Sequence, residues 1–410
     1  MIAVIADDLT GAAEIAGIAL RHGFRVVIDT TVHPDADADI LVIATDSRSK
    51  TPEEAKELTH NITSSLLALN PELIFKKTDS LLRGHVGEEL TAQMKASGKK
   101  RTLLIPANPA LKRTIRDGIY YADNVPLNKS LLADASRNKI ATAEVLALVG
   151  EQFRKSAAVI SIGEMLPDTG MIIGNTISEP DLNTWAERID ADTIPAGSGG
   201  FFDAIITTIK RKGSPIAQSN GHPLTVTNGI NMEGTKKIIY VCGSAFPQSK
   251  TYVKQAGAEG RYVSYMPEQI FSRDYSQTEI IDSWAADIIK GLEQHNRVII
   301  AVDHLIYTDE LQLSAQIRFM MALVIERITQ VAVVEELVVE GGATASSIIE
   351  RLNYERFFPV QEIAMGVIRM KVHESPHLFL TLKPGSYDWP SSIWNQENPY
   401  RNEITTVLDK

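Results

Sequence analysis

Ile2-Ala3-Val4-Ile5-Ala6-Asp7-Asp8-Leu9-Thr10-Gly11-Ala12 opens on a short apolar run, then two adjacent carboxylates, then a second apolar stretch. The run over 2–6 reads as a buried strand, and residues 11–20 are apolar and long enough for a helix. Asp7 and Asp8 therefore stand where a strand ends and a helix begins. In an open parallel sheet that position is the rim where ligands bind. Adjacent like charges repel, so a cation, a substrate hydroxyl or a helix N-terminus must offset them. The plainer reading gives one Asp to helix capping and the other to solvent.

Outward from this stretch the pattern repeats. Further strands are predicted over 25–29, 40–44, 73–76 and 102–106, and helices over 52–67 and 84–95. Thr51-Pro52-Glu53-Glu54 supplies a cap, an N1 proline and an acidic first turn for the first of these helices. Such alternation predicts an α/β fold with a mainly parallel sheet covered on both faces. A second alternating block, over 159–210, is less regular. Residues 211–236 are rich in Gly, Ser, Pro and Asn without an apolar period, and mark a boundary. Alternation then resumes with strands over 237–241, 261–265, 297–302 and 337–340, and helices near 247–256, 278–294, 309–330 and 343–352. Closing strands are predicted over 367–372 and 378–382. The expectation is two α/β domains, 1–234 and 235–410.

Bulk composition narrows the function. The 410 residues are 44% hydrophobic and 22% charged, as in a soluble globular protein. No apolar run approaches the roughly 20 residues needed to span a bilayer. The strand-first N-terminus has no basic segment before an apolar core, so no secretory signal is predicted. A single cysteine, Cys242, excludes an internal disulfide and fits a reducing cytoplasm. The formal charge of -10 argues against a nucleic-acid surface. A small anionic ligand would then need a local basic cluster.

Lys76-Lys77-Thr78-Asp79-Ser80-Leu81-Leu82-Arg83-Gly84-His85 is that cluster, again just past a predicted strand. Its guanidinium fork matches a carboxylate, and its lysines add compact charge. Pro106-Ala107-Asn108-Pro109, followed by Arg113-Thr114 and Gly118-Ile119-Tyr120, reads as a rigid loop at a strand end. The second domain carries glycine turns at Gly243-Ser244, Gly341-Gly342-Ala343-Thr344 and Lys383-Pro384-Gly385-Ser386. Each follows a strand, and glycine with helix-N-terminal amides can hold phosphate. None matches a Walker loop or a dinucleotide fingerprint. Cys242 reads as a small buried hydrophobe, and the histidines show no triad or metal spacing.

Together these runs resemble the four-carbon acid sugar kinase family. The resemblance rests on Ala6–Ala12, Lys77-x-Asp79-Ser80-x-x-Arg83-Gly84 and Pro106-Ala107-x-Pro109 with Arg113-Thr114. In the second half it rests on Gly243-Ser244, Gly341-Gly342-x-Thr344-Ala345 and Lys383-x-Gly385. It implies an N-terminal domain for the sugar acid, a C-terminal domain for ATP, and an active site in the cleft between them. It also implies Mg²⁺-ATP-dependent phosphorylation of threonate, erythronate or an oxo-tetronate. By position Asp7, Asp8, Lys77, Asp79, Ser80, Arg83, Asn108 and Arg113 would line the acid site. Asp8, Asp79 and Arg83 would be catalytic. Ser244, Gly341, Gly342, Ala343, Thr344 and Gly385 would hold the nucleotide, with metal ligands unassigned and room left for a homodimer. Three departures stand out. Ala343 replaces the family Asp, Lys112 replaces a Gly, and the stretch after Gly385 (Tyr387, Trp389, Trp394) is longer and more aromatic. The loss at 343 keeps open a non-catalytic binding protein beside a kinase of this or another small hydroxylated acid.

Overall fold

The structure, a computed structural model, describes residues 1–134, 140–213, 236–243, 247–271, 277–302, 310–385, 387, 389–390 and 393. The chain divides into two compact units. One is Met1–Asn228 with Tyr354–Val360, and the other is Gly229–Asn353 with Gln361–Lys410.

The first unit begins β1 (Ile2–Ala6), α1 (Leu9–Arg21), β2 (Val26–Asp29), β3 (Ile40–Ala44), α2 (Pro52–Leu67), β4 (Leu73–Lys77), α3 (Val86–Ser97) and β5 (Arg101–Ile105). A small antiparallel sheet follows, of β6 (Arg113–Arg116), β7 (Ile119–Ala122) and β8 (Val125–Pro126). The unit continues with α4 (Leu131–Asp134), α5 (Val145–Val149), β9 (Ala157–Ile160), β10 (Gly170–Gly174), α6 (Glu179–Glu187), β11 (Thr193–Gly197) and α7 (Gly199–Arg211). Its main sheet runs in the order β2-β3-β1-β4-β11-β5-β10-β9, parallel throughout.

β1, β3 and β11 are buried along their whole length, as expected of parallel strands covered on both faces. Ala3, Ile5, Val27, Leu41 and Ile43 pack on Ile62 and Leu66 of α2. The capping box read from Thr51-Pro52-Glu53-Glu54 is present at α2, with Thr51 and Glu54 bonding reciprocally. Pro106-Ala107-Asn108-Pro109 does lie in the loop after β5, and the residues that follow it, read from the sequence without an element, form the small sheet β6-β7-β8. Its turns fall at Asp117-Gly118 and Asp123-Asn124, all four residues at positive φ. That is the geometry in which paired left-handed residues match hairpin twist.

In the second unit the elements are β12 (Ile238–Cys242), α8 (Pro247–Ala258), β13 (Val263–Tyr265), α9 (Gln277–His295), β14 (Arg297–Ala301), α10 (Glu310–Val331), β15 (Glu336–Glu340), α11 (Gly342–Arg351), β16 (Arg356–Ala364), β17 (Val367–Val372) and β18 (Phe379–Lys383). The sheet order β13-β14-β12-β15-β18 is parallel, and β17 adds antiparallel to β18. Ile238, Tyr240 and Cys242 of β12 share a core with Val253 and Ala256 of α8. β16 starts inside the first unit. There Arg356 and Phe357 pair antiparallel with Asp29 and Ile28 of β2, and Arg356 makes a bidentate ion pair with Asp29.

Candidate active site

In the first unit β3, β1, β4, β11 and β5 are sheet neighbours, so the loops after them converge at one edge. Asp8 caps α1, accepting from the Gly11 N–H at 2.7 Å. Asp7 is not solvated: it is 3% exposed, and accepts from the Asp79 N–H at 2.9 Å. Both carboxylates meet a residue that the sequence reading missed. Arg48, from the turn after β3, reaches Asp7 at 3.0 Å, Asp8 at 2.9 Å and Asp79 at 3.5 Å. One guanidinium thus ties together three acids from the ends of β1 and β4. Burial would lower the pKa of Arg48, but Asp7, Asp8 and Asp79 raise it well above its ordinary value.

The other cations are also engaged. Lys77 is 3% exposed and pairs with Glu14 of α1 at 3.1 Å. Burial opposes its charge, and Glu14, Asp7 and Asp8 restore it, so its pKa is raised. Arg83 grips Asp79 through Nε at 2.6 Å and Nη2 at 2.7 Å, while the Leu81 and Arg83 amides donate to Asp79 Oδ2. Burial would push the Asp79 carboxyl up. Arg48 and then Arg83 override it and hold it well below the usual range. Asp8 behaves oppositely: burial dominates over Arg48 and raises its pKa. The two candidate acids therefore differ in basicity because the donors and cations around Asp79 outweigh its burial and those around Asp8 do not.

The small sheet folds onto the same edge. Arg113 Nη1 donates to Ser80 Oγ, and the buried Tyr120 hydroxyl donates to Ser80 O at 2.5 Å. Burial pushes the Tyr120 phenol up, so it stays a neutral donor. Asn108 exchanges backbone bonds with Arg113, and its side chain lies beside Gly200 in the first turn of α7. At the neighbouring Gly199 a side chain would collide with the Glu14 carboxylate. Lys112 takes φ 55°, a left-handed conformation that glycine adopts at no steric cost. Asp7, Asp8, Lys77, Asp79, Ser80, Arg83, Asn108 and Arg113 are all placed around this edge. Arg48, Glu14 and the Gly199-Gly200 start of α7 are additions. Among the described residues, no group of three or more His, Cys, Asp or Glu is arranged to hold a metal ion.

In the second unit, Gly341 has φ 91° and precedes α11 without a side-chain cap or an acidic residue in the first turn. Its uncapped amides are the donors that an anion needs. Thr344 is buried and its Oγ1 would lie 3.3 Å from a side chain at Gly243, so the turns after β12 and β15 touch. Ala343 is exposed in the first turn of α11, and Gly385 follows β18, the neighbour of β15. Ser244 lies outside the described residues. Cys242 is buried and free, and burial pushes its thiol well up, as suits a packing residue rather than a nucleophile. No helix among the described residues is long and apolar enough to cross a membrane.

Residues 2–205 match the model of a sugar-binding N-terminal domain, and residues 239–387 that of a nucleotide-binding C-terminal domain. The chain is 30% identical over 221 residues to D-threonate kinase of Salmonella typhimurium, a match spanning 49% of this chain and 52% of that protein. With 3-oxo-tetronate kinase of Haemophilus influenzae it is 23% identical over 411 residues, covering 94% of this chain and 97% of the relative. A solved structure from Salmonella typhimurium superposes with a TM-score of 0.72 at 19% identity, covering 94% of this chain and 96% of its own. A second, from Haemophilus influenzae, gives a TM-score of 0.65 at 20% identity, covering 94% and 96%. Those two likenesses are of fold alone.

Proposed function

Because this chain belongs to the four-carbon acid sugar kinase family, we propose that it transfers the γ-phosphoryl group of Mg²⁺-ATP to a hydroxyl of a four-carbon sugar acid. Threonate, erythronate and 3-oxo-tetronate are the candidates, after the relatives named for them. The observation that carries the reading is the charged edge of the first unit, where Asp7, Asp8 and Asp79 are locked to Arg48 and flanked by Lys77 and Arg83. Such an edge suits a small molecule bearing both hydroxyls and a carboxylate. The uncapped glycine start of α11 suits a phosphate chain.

Roles follow from the electrostatics. Asp8 is the base or orienting group for the acceptor hydroxyl, since its raised pKa gives it more proton affinity than the donor-saturated Asp79. Asp79 orients Arg83, and Arg83, the more exposed of the two cations, meets the substrate carboxylate with Lys77 behind it. The Gly341–Thr344 turn and Gly385, with Ser244, hold the nucleotide phosphates. Phosphoryl transfer is mostly positioning and charge stabilisation, which a clustered set of fixed charges provides.

The test is acid-dependent ADP release from the full chain with Mg²⁺-ATP and a panel of tetronic acids. Arg83→Ala should raise the KM for the acid about ten- to hundredfold, the loss of a charge-assisted pair of roughly 1.5–3 kcal/mol. The KM for ATP should hardly move. If ATP affinity fell while the acid's held, the roles of the two units would be exchanged. Absence of turnover with every acid, with ADP still bound, would favour the non-catalytic reading.

A further inference from the structure

Glu340 and Lys383 are register partners at the ends of β15 and β18, each 1% exposed. Lys383 Nζ donates to Glu340 Oε1 at 2.7 Å and to Pro384 O at 3.0 Å. Ser249 Oγ, in the first turn of α8, donates to the other Glu340 oxygen. The Lys383 carbonyl accepts from the Gly341 N–H at 2.8 Å. Lys383 and Glu340 therefore touch the turn before α11, the turn after β18 and the start of α8.

Two opposite charges in the interior are a poor source of stability, since an apolar pair of similar volume often does as well or better. Their neighbours in the same strands, Val339 and Leu382, are apolar and fully packed. A buried ammonium already donating to two acceptors is also badly placed to leave them for a ligand. The contacts instead suit a spacer that sets one turn against another.

We propose that the buried Lys383–Glu340 pair is a positioning device for nucleotide binding, holding the Gly341-Gly342 turn and the Pro384-Gly385 turn at the separation a phosphate chain requires. The inference rests on the reading that the nucleotide binds at these turns. Lys383 acts through the backbone it anchors and makes no contact with the nucleotide.

The experiment uses the full chain with Lys383→Met, the double variant Lys383→Met/Glu340→Gln, Ser249→Ala and Gly342→Val. Thermal midpoint, KM for ATP, KM for the acid and ADP affinity are read for each. Lys383→Met should lose both stability and nucleotide affinity, because it strands the Glu340 carboxylate. The double variant removes both charges, so its thermal midpoint should recover most of the way. Its KM for ATP should stay at least about tenfold above wild type with the acid's KM within about twofold. Ser249→Ala, a mild change, should raise the KM for ATP alone. A double variant whose KM for ATP returns to the wild-type value would reduce the pair to a structural one and overturn the proposal, as would ATP and acid KM rising together. Unchanged ADP affinity in Gly342→Val would instead overturn the assignment of the nucleotide site.

Discussion

Replacing Arg48 by Met removes the guanidinium that bonds Asp7, Asp8 and Asp79 together while keeping a side chain of similar reach. Asp7 and Asp79 are 3% and 6% exposed, so neither can recover its solvation without local opening. Breaking a buried ion pair by deleting one partner costs about 3–5 kcal/mol. The low end applies, because each acid keeps something. Asp79 retains the bidentate Arg83, Asp7 the Asp79 amide, and Asp8 the Gly11 amide. A loss of about 3 kcal/mol in the local stability of the first unit is therefore expected at pH 8. The sign with pH is fixed. Stranded carboxylates relieve their repulsion by taking up protons, so the penalty is full above the carboxylate range and shrinks as pH falls into it. Two compact units need not unfold in one transition, so the assay is hydrogen exchange of peptides from β1, β3 and β4 across a urea series at pH 8 and at a pH within that range. Arg48→Lys should fall between, since an ammonium serves as a point charge but cannot fork. A penalty below about 1 kcal/mol at pH 8, or one equal at the two pH values, would refute the claim that Arg48 neutralises these acids.

Asp8→Asn should lower turnover about 10²–10⁴-fold with the fold intact. Since burial raises the Asp8 pKa and the carboxylate is the working form, wild-type activity should be lost as pH falls through a value above the ordinary aspartate range. The Asn variant should lack that limb in a pH–rate profile, and near-normal turnover would pass the role to Asp79. Ala343→Asp places a carboxylate at an exposed position in the first turn of α11, where it can help phosphates only through a cation. It should lower the Mg²⁺ needed for half-maximal rate, or raise the rate, in a Mg²⁺ titration at saturating ATP and acid. No gain at any Mg²⁺ concentration would mean that other groups place the metal.

Local signals carried much of this. The apolar run over 2–6 is β1 residue for residue, and the Thr51 capping box begins α2 where it was read. Asp7, Asp8 and Asp79 could be singled out because each follows a strand directly. Arg48 lies in the turn beyond β3, and its partners depend on β3 lying next to β1, an order that no local pattern encodes. The same limit hid the partners of Lys77 and Arg83, read only as a basic cluster for an acid: Glu14 pairs with the first and Asp79 with the second. The Gly199-Gly200 start of α7 sat in a block whose period was too irregular to frame it. The small sheet was different, since Asp117-Gly118 and Asp123-Asn124 are hairpin dipeptides that could have been used. Lys112, by contrast, holds a left-handed conformation with no residue type to announce it.

The seven residues Tyr354–Val360 have a consequence for how the chain is made. They are translated long after β2, yet they supply its antiparallel partner and the guanidinium for Asp29, which is fully buried. A nascent chain emerging from the ribosome would hold β2 as an open edge, with unpaired backbone groups and an uncompensated carboxylate, until more than three hundred further residues had followed. The first unit thus completes its sheet only after most of the second has been synthesised. Cutting the gene between the two would leave the first with that edge exposed and with Asp29 stripped of its guanidinium.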